Sequence, residues 1–389
     1  MSTVPETLQR FRPTYAEIDL DAFASNIDSI RTFLPDGSRL IAVLKGDGYG
    51  HGAVPLAKVC SRHHVAMIAV SLLEEAIELH NAAIDCPILI LGPLTHDQIS
   101  IAADLQFSIG ITGPEELGAV CSESRQLKKP IRIHVKLDSG MGRMGLVESD
   151  LPRVSAELRH APFVQLDAIY THFANASNPN DPYTETQIVN FTRMIRSLRD
   201  AGIHAPLHHL ANSAATVRKL AMPGDFVRVG ISLYGGEPLD LGDTRLLPMM
   251  RWCTRVARLK TLPPGHGIGY ATTFKTARET LVATLPVGYA DGYNRLLSNN
   301  AEVLIRGKRC PVLGRVSMDL ITVDVTDLDD VRIGDEVVLL GHQGKERISA
   351  EEIANRIGTI SYEVFCAVSS RVPRVYESGG QVVVRSKFD

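Results

Sequence analysis

The sequence predicts an α/β protein, namely a (β/α)8 TIM-like barrel followed by a mostly β C-terminal domain. The chain has 389 residues, which is too long for one ordinary domain. Short apolar runs alternate with helical segments over the first part of the chain, whereas strand-like runs between glycine- and proline-containing turns dominate after about residue 250. We therefore expect a barrel over residues 14–250 and a β-rich domain over 251–389, with residues 1–13 associated with the β-rich domain.

Eight apolar or β-branched runs are predicted to form the barrel strands. Parallel strands of a closed barrel are buried on both faces, so they are continuous apolar runs rather than alternating ones. The runs span residues 39–45, 64–71, 87–92, 107–112, 131–138, 164–173, 207–213 and 226–232. A doubly wound open sheet is the alternative, because periodicity alone does not show whether a sheet closes.

An additional strand and a helix precede the first barrel strand. The strand is the run TYAEIDL, and the sequence leaves its pairing partner open. The apolar residues that recur at helical spacing after it are Phe23, Ile27, Ile30 and Leu34. This spacing places them on one face, so an amphipathic helix is predicted.

The segment after residue 250 is predicted to be a β domain with one helical interruption. Its strand-like runs include RVARLKTL, TLVATLPVGYADG, EVLIRGKRCPVL, DLITVDVTD and DEVVLLG. The interrupting helix begins at Ser349, where Glu352 completes a capping box, and ends near Gly358.

Composition and charge point to a small-molecule partner. The formal net charge is −3 and no long basic run is present, so nucleic acid is not expected. The first residues lack the apolar core of a secretion signal, and no apolar run approaches the length that spans a bilayer. We therefore expect a cytoplasmic protein with no membrane partner.

No metal site is expected. The six cysteines form no CxxC pair. Histidines occur as the neighbours His63 and His64 and as the neighbours His208 and His209, but adjacent residues of a strand point to opposite faces and do not converge on one ion.

Polar residues follow the predicted barrel strands, at the end where such barrels hold their chemistry. The most distinctive stretch is LIAVLKGDGYGHG at residues 40–52, in which a lysine follows an apolar strand and glycines allow close approach of a ligand. The polar residues at these ends are Lys45, Tyr49, Lys136, Asp138, Arg143, His172, Asn212, Ser213 and Arg228. Ser213 and the amides around Gly230 and Ile231 could bind a phosphate, and a lysine beside a phosphate pocket suggests pyridoxal phosphate. Any barrel enzyme collects polar residues there, so the pattern alone leaves other chemistries open.

Nine blocks of the sequence are, in order, AVLKGDGYGHG, HVKLDSGMGRMG, THF, HLANSAA, FVRVGISLYG, GIGYATTF, PVGYADGYNR, GRVSMD and ISYEVFCAVSSRVPR. Together they resemble the alanine racemase family, whose members are fold-type III pyridoxal-phosphate enzymes, and the resemblance runs from Pro13 to Tyr376. The resemblance implies a barrel followed by a β domain, a head-to-tail homodimer with shared active sites, and interconversion of L-alanine and D-alanine.

The resemblance also implies a two-base mechanism. Lys45 corresponds to the lysine that holds pyridoxal 5'-phosphate, and Tyr270, from the partner subunit, corresponds to the catalytic tyrosine. Removing a proton from one face of the substrate and returning one to the other is most simply done by two acid–base groups on opposite faces. His172 corresponds to the histidine that hydrogen-bonds the tyrosine, and Arg228 to the arginine that faces the pyridine nitrogen.

The remaining expected contacts come from the same resemblance. The residues that match the phosphate ligands are Tyr49, Ser213, Gly230, Ile231 and Tyr362, and we expect Asn212 at the cofactor as well. Arg143 matches an arginine near the cofactor's phenolic oxygen and the substrate carboxylate, and Met318 and Asp319 match a partner-chain loop that receives that carboxylate. Lys136 occupies the position of a lysine that is often carbamylated, and we expect the same here because an unmodified lysine would repel Arg143.

The chain also departs from the family pattern. Gly46 and Gly48 stand where alanines are common, Ser317 replaces a frequent cysteine, and Ala271 stands where glycine is usual. None of these positions carries a reacting group.

Three alternatives share parts of this pattern. A fold-type III decarboxylase has the same two-domain architecture, but its relatives carry an HVGSG-type segment and lack the GIGYATTF block. A single-barrel pyridoxal-phosphate carrier would end before residues 251–389. A racemase of broad specificity, or one that prefers serine, stays open, because one methylene changes affinity by only about 1 to 3 kcal/mol in an apolar pocket.

Overall fold

The computed structural model describes residues 12–220, 226–236 and 246–385. The chain divides into two compact units. Within these residues, the barrel unit comprises Ala24–Gly48 and residues 53–246, and the β unit comprises residues 12–23, Tyr49–Gly52 and residues 247–385. The predicted association of residues 1–13 with the β-rich domain lies, for residues 1–11, outside the described residues.

The described residues form the following regular elements. The strands are β1 (Tyr15–Asp19), β2 (Arg39–Val43), β3 (Met67–Val70), β4 (Ile88–Ile90), β5 (Ser108–Ile111), β6 (Ile131–Lys136), β7 (Val164–Tyr170), β8 (Leu207–His209), β9 (Phe226–Val229), β10 (Met250–Arg255), β11 (Arg258–Leu262), β12 (Gly267–Ile268), β13 (Phe274–Lys275), β14 (Thr280–Leu285), β15 (Glu302–Ile305), β16 (Lys308–Pro311), β17 (Ile321–Asp324), β18 (Glu336–Gln343), β19 (Glu346–Ile348), β20 (Arg374–Ser378) and β21 (Gln381–Arg385). The helices are α1 (Leu20–Arg31), the left-handed turn α2 (Lys45–Tyr49), α3 (Ala53–Arg62), α4 (Leu73–Asn81), α5 (His96–Asp104), α6 (Pro114–Leu127), α7 (Leu151–Arg159), α8 (Tyr183–Asp200), α9 (Ser213–Val217), α10 (Ala350–Ile357) and α11 (Ser361–Ala367). Short 3-10 helices are formed by Glu148–Asp150, Ile231–Tyr234, Tyr270–Thr272, Tyr289–Asp291 and Arg295–Leu297.

The barrel unit contains the predicted eight-stranded parallel sheet, whose order is β8-β7-β6-β5-β4-β3-β2-β9. The sheet curves back on itself because β9, the last strand, pairs in parallel with β2, the first, with Val227 opposite Leu40. The ends of the sheet also approach each other, since Arg228 N donates to Ala211 O at 2.9 Å. This nearly closed arrangement confirms the (β/α)8 barrel and excludes the doubly wound open sheet.

Burial explains why the barrel strands are apolar throughout. The residues of β3, β4, β5 and β9 are buried without alternation. Side chains on one face fill the barrel interior and those on the other meet the surrounding helices. The carboxyl end of the barrel is therefore where polar side chains collect.

The β unit is built around one large sheet of order β16-β15-β18-β10-β1-β20-β21, with β19 paired to β18. The additional strand β1 lies inside this sheet, antiparallel to β10 and parallel to β20. A second sheet has the order β11-β14-β17, and β12 and β13 form a hairpin. The mostly β character expected for this part of the chain is thereby confirmed.

The predicted helix in the β-rich segment is confirmed as α10, but the expectation of a single helix there was wrong, because α11 follows it at Ser361–Ala367. Ser349 Oγ accepts a hydrogen bond from Glu352 N at 3.1 Å, and Gly358, at a φ of 74°, ends the helix. Within the described residues, no helix combines the length and apolar character needed to cross a membrane.

Candidate active site

Lys45 follows the carboxyl end of β2, and its side chain is exposed. The chain then turns in the left-handed conformation, with φ values of 65° at Gly46, 49° at Asp47 and 59° at Gly48. This conformation costs an L-residue about 1 to 2 kcal/mol, whereas glycine adopts it without that cost. The two glycines therefore let the chain reverse direction immediately after the lysine.

Lys136, the last residue of β6, lies among other cationic groups of the barrel unit. Burial lowers its pKa to about 8, and the charges of Arg143 and Arg228 contribute to the lowering. Lys45 also lowers this pKa, while Asp138 raises it. Several of the predicted residues thus share one positively charged region, which suits an anionic ligand.

Arg228 lies on β9 and is buried. Its Nη1 atom donates to His209 O at 2.5 Å, and its Nη2 atom donates to Thr171 O at 2.6 Å. The guanidinium also lies over the ring of Tyr170, 5.2 Å from its centroid. Backbone carbonyls and an aromatic face therefore stabilise this buried cation.

Arg228 assigns the tautomers of the histidines around it, because an arginine side chain only donates hydrogen bonds. His209 Nδ1 lies 2.7 Å from Arg228 Nη1, so Nδ1 accepts and the ring proton is on Nε2. His209 Nε2 in turn donates to His134 Nδ1 at 2.9 Å. His172 Nδ1 lies 3.3 Å from Arg228 Nη2 and accepts in the same way, which leaves its proton on Nε2.

These histidines are neutral at physiological pH. Burial, followed by the charge of Arg228, lowers the pKa of His172 to about 3. Burial likewise lowers the pKa of His134 to about 4. His172 can therefore donate its Nε2 proton in a hydrogen bond without carrying a positive charge.

The expected phosphate ligands of the barrel unit lie near the ends of β8 and β9. Gly230 N donates to Ser213 Oγ at 3.0 Å, and Ile231 begins the next 3-10 helix. Asn212 has a structural contact, since its side chain caps α9 by accepting from Ala215 N at 3.0 Å. The Ser213 hydroxyl and the Gly230 amide are thus placed together, while Asn212 holds the turn that carries Ser213.

The two expected tyrosine ligands belong to the β unit and contact each other. The ring centroids of Tyr49 and Tyr362 are 5.8 Å apart. Burial raises the pKa of Tyr49 and raises that of Tyr362 to about 12, so both phenols stay protonated and can donate. The neighbouring Gly50 carbonyl accepts two hydrogen bonds from Arg374, at 2.8 and 3.0 Å, which fixes the backbone beside Tyr49.

Tyr270, Met318 and Asp319 also belong to the β unit, where Tyr270 begins an exposed 3-10 helix and the other two lie in an exposed loop. The Tyr270 side chain is 70% exposed, and that of Met318 is 52% exposed. Asp319 Oδ1 accepts from Arg371 Nη2 at 2.7 Å. Tyr270 is thus a catalytic candidate whose side chain is left largely uncovered by its own chain.

Metal chemistry has no candidate in the described ranges. Residues 12–220, 226–236 and 246–385 contain no group of three or more His, Cys, Asp or Glu side chains placed to hold an ion. The cysteines of these ranges are free thiols.

Sequence reasoning missed several residues that support the site. Glu75 accepts a hydrogen bond from Gly46 N, Arg371 pairs with Asp319, and His209 holds Arg228. Acidic residues are common in the first turn of a helix, so Glu75 did not stand out in the sequence. The only signal for its role was that it is the third residue of the helix, where a glutamate can accept from backbone N–H groups before the helix. The partners of the other two lie far away in the sequence, which left no local pattern to detect.

Family models match nearly the whole chain. The model described as alanine racemase, N-terminal domain, matches residues 18–238, and the one described as alanine racemase, C-terminal domain, matches residues 249–376. The alanine racemase of Symbiobacterium thermophilum is 42% identical over 376 residues, which cover 96% of this chain and 99% of that protein. The alanine racemase of Halothermothrix orenii is 39% identical over 373 residues, which cover 94% of this chain and 97% of that protein.

Solved structures give the same result. The chain is similar to alanine racemase from Bacillus anthracis with bound L-Ala-P, with a TM-score of 0.90, 36% identity and coverage of 97% of this chain and 98% of the other. It is also similar to alanine racemase from Bartonella henselae with covalently bound pyridoxal phosphate. For that pair the TM-score is 0.86 and the identity 26%, with coverage of 94% of this chain and 100% of the other.

Proposed function

The chain belongs to the alanine racemase family, and from this we propose that it interconverts L-alanine and D-alanine with pyridoxal 5'-phosphate bound covalently to Lys45. The observation that carries the proposal is the position of Lys45 at the carboxyl end of a barrel strand, within a positively charged region. A solved relative with covalently bound pyridoxal phosphate supports the choice of cofactor.

The side chains of the barrel unit fit an anionic cofactor and an anionic substrate. Lys136, Arg143 and Arg228 supply positive charge. Ser213 and the amides of Gly230 and Ile231 are the barrel groups that would hold the phosphate. Hydroxyls and amides bind a phosphate through directed hydrogen bonds and need not change protonation state to do so.

The β unit would supply the remaining phosphate ligands. The phenols of Tyr49 and Tyr362 are protonated donors that lie against each other. Arg374 fixes the backbone at Gly50 and so limits the movement of Tyr49.

Two bases on opposite faces of the substrate would carry out the racemisation. When bound, pyridoxal phosphate makes the α-proton of an amino acid acidic by withdrawing electrons from the α-carbon. Lys45 Nζ would hold or remove the proton on one face, and Tyr270 Oη of the partner subunit on the other. Each group would thus act as an acid in one direction of the reaction and as a base in the reverse direction.

His172 and Arg228 would control two protonation states, that of the Tyr270 phenol and that of the cofactor's pyridine nitrogen. His172, with its proton on Nε2, would donate a hydrogen bond to the oxygen of Tyr270. Such a bond favours the phenolate form of a tyrosine. Arg228 would face the pyridine nitrogen, where a second cation is disfavoured by like-charge repulsion.

We propose that Lys136 is carbamylated and positions Arg143. A pKa of about 8 leaves part of the Lys136 amine neutral at physiological pH, and only the neutral amine adds to carbon dioxide. The addition forms a nitrogen–carbon bond, releases one proton to solvent and gives a carbamate anion that would attract Arg143. Arg143, Met318 and Asp319 would then receive the substrate carboxylate.

A head-to-tail homodimer would bring Tyr270 to the other chain's barrel. Loops of the β unit expose a set of apolar side chains, which are Tyr270, Tyr289, Leu296, Met318 and Leu320. Two of these loops lie together, because Tyr289 N donates to Ser317 O at 3.0 Å. Exposed apolar side chains on neighbouring loops favour a protein interface.

The test of the proposed function is racemisation of alanine by the purified protein supplied with pyridoxal 5'-phosphate. Activity is measured in both directions and across a panel of L-amino acids that includes serine. Borohydride reduction followed by peptide mass mapping locates the lysine that carries the cofactor. We expect alanine to be the preferred substrate and Lys45 to be the labelled residue.

Two variants and one control complete this experiment. Lys45→Ala and Tyr270→Phe are each expected to abolish racemisation, whereas Lys58→Ala, which removes an exposed lysine of α3, should leave it unchanged. Cofactor labelling on a different lysine, or full racemisation by Lys45→Ala, would overturn the proposal. Decarboxylation of a panel member without racemisation would favour the decarboxylase alternative.

A further inference from the structure

The backbone on both sides of Lys45 is fixed by hydrogen bonds to the next unit of the barrel. Leu44 N donates to Ala69 O of β3 at 2.9 Å, and Gly46 N donates to Glu75 Oε1 of α4 at 2.6 Å. The first bond is ordinary strand pairing. The second is a side-chain contact that orients the peptide plane directly after the lysine.

Glu75 holds this peptide with one oxygen and its own helix with the other. It is the third residue of α4, and its Oε2 atom accepts from Ser71 N at 2.8 Å and from Leu72 N at 3.1 Å. Only a carboxylate has two oxygen atoms that can both accept, whereas a glutamine would place its NH2 group opposite one set of N–H donors. The carboxylate therefore joins the start of α4 to the turn that carries Lys45.

The left-handed turn needs such external support. Gly48 N donates to Leu44 O at 2.8 Å inside the turn, and Ala53 N donates to Asp47 Oδ1 at 2.8 Å from the residues that follow it. Asp47 is an L-residue at a φ of 49°, a conformation that is costly for it. Bonds at both ends of the turn offset this cost.

A second glutamate of the barrel unit makes the same kind of connection and can be compared with Glu75. Glu116 is the third residue of α6, and its Oε2 atom accepts from Thr112 N at 2.7 Å. Its Oε1 atom accepts from Leu94 N at 3.0 Å, in the loop after β4. Glu75 and Glu116 thus connect neighbouring loops in the same way, but the loop that Glu75 holds carries Lys45.

We propose that Glu75 is a positioning residue that sets the direction in which Lys45 presents its amine to the cofactor. The proposal rests on the proposed function, in which Lys45 binds pyridoxal 5'-phosphate. Loss of the Gly46–Glu75 bond frees the peptide after Lys45 to rotate, so the lysine is no longer held in the orientation that the bound cofactor requires. The covalent link should then be lost more easily, and its absorbance should change with pH over a different range.

The test compares Glu75→Gln with Glu116→Gln and Glu74→Gln. Glu116→Gln breaks the equivalent connection away from Lys45, and Glu74→Gln removes an exposed charge from the same turn of α4. Holoenzymes are dialysed to measure the rate of cofactor release, and the absorbance of the lysine-bound cofactor is titrated with pH. Loss of one hydrogen bond to a charged group corresponds to roughly a tenfold faster release, which we expect for Glu75→Gln alone.

The outcomes separate this proposal from the proposed function. If the wild-type protein binds pyridoxal 5'-phosphate on Lys45 but neither Glu75→Gln nor Glu75→Ala, which leaves no acceptor for Gly46 N, releases it faster than Glu116→Gln, the positioning role is wrong. If the wild-type protein carries no cofactor on Lys45, the proposed function itself fails. Should Glu75→Gln not fold, Glu75→Asp keeps the charge but is one methylene shorter, and we expect the same faster release.

Discussion

Arg228 is a buried cation whose contacts are carbonyl oxygens, histidine nitrogens and the face of Tyr170. Its permanent charge and its lack of acceptor atoms decide which nitrogen of each neighbouring histidine carries a proton. A protonated His172 would place a second positive charge beside it. Arg228 therefore disfavours protonation of the neighbouring histidines as well as donating hydrogen bonds to them.

Replacing Arg228 by methionine should raise the pKa of His172. Burial lowers this pKa first and the Arg228 charge second, so the value should rise from about 3 but stay below the ordinary 6.5. Selective NMR titration of labelled histidines measures the shift, with His172→Gln to assign the signal. An unchanged pKa in Arg228→Met would show that the Arg228 charge does not contribute to keeping His172 neutral.

The same shift links His172 to acid stability. Because its folded-state pKa lies below the ordinary value, the unfolded chain binds a proton more readily, and charging favours unfolding. The stability associated with neutral His172 is complete above pH 6.5 and is lost as the pH falls towards 3. If Arg228→Met raises the folded-state pKa of His172, the pH range over which this stability is lost becomes narrower, because its lower limit rises.

At the scale of elements, the turn α2 explains a departure from the family pattern. Gly46 and Gly48 stand where alanine is common, and both adopt positive φ values. Glycine is the residue that this conformation strains least, so the substitution lowers the conformational cost of the turn. Ala271 shows the opposite case, since it holds a φ of 58° where glycine is usual.

Gly48→Ala should lower the free energy of unfolding by about 2 kcal/mol or more. The new Cβ would be strained at a φ of 59° and would lie 2.8 Å from Leu56 Cδ1. Gly202→Ala is the matched control, because its φ is 79° but no heavy atom lies within 4 Å of the added carbon. Urea unfolding of both variants separates backbone strain from the collision, and equal losses would show that Leu56 moves aside without cost.

Much of the fold was predictable from local patterns, and the rest depended on distant contacts. The eight apolar runs predicted the barrel strands. The importance of Lys45 was predicted because barrel enzymes place their functional residues after the carboxyl ends of the strands. The partners of β1 were not predictable, because β10 and β20 lie far from it in the sequence and the run TYAEIDL contains no signal for either of them. The roles of Tyr270 and Tyr362 came from the resemblance, since an isolated tyrosine in a loop has no distinguishing pattern.

A partly buried ion pair holds the 3-10 helix Tyr289–Asp291. The Asp291 side chain is fully buried and accepts from Arg12, which is 27% exposed, at 2.6 and 2.8 Å and from the buried Gly288 N at 3.0 Å. Asp291→Ala should lower the free energy of unfolding by about 2 kcal/mol, because it removes the charged acceptor of both Arg12 and Gly288 N. Asp327→Ala removes an exposed ion pair with Arg278 and should unfold close to the wild-type urea concentration. Equal midpoints for the two variants would contradict the stabilising role of Asp291.

At the scale of the whole molecule, the two proposed bases belong to different units of the chain. Lys45 lies in the barrel unit, and Tyr270 lies in the β unit with 70% of its side chain exposed. A shared site between two copies would account for an exposed catalytic tyrosine. It would also make activity depend on protein concentration, because dissociation separates the bases.

Mixing two inactive variants tests this arrangement directly. Lys45→Ala and Tyr270→Phe each lack one base, so either variant alone should be inactive. If the bases of one site come from different chains, a mixed dimer contains one site with both defects and one intact site. Random reassociation after mild denaturation makes about half of the dimers mixed, so about a quarter of the wild-type activity should return.

If Lys45 and Tyr270 of the same chain formed each site, every site in the mixture would keep one defect and no activity would return. Gel filtration of the mixture, together with a self-mixed sample of each variant, shows whether dimers have reformed before the assay is interpreted.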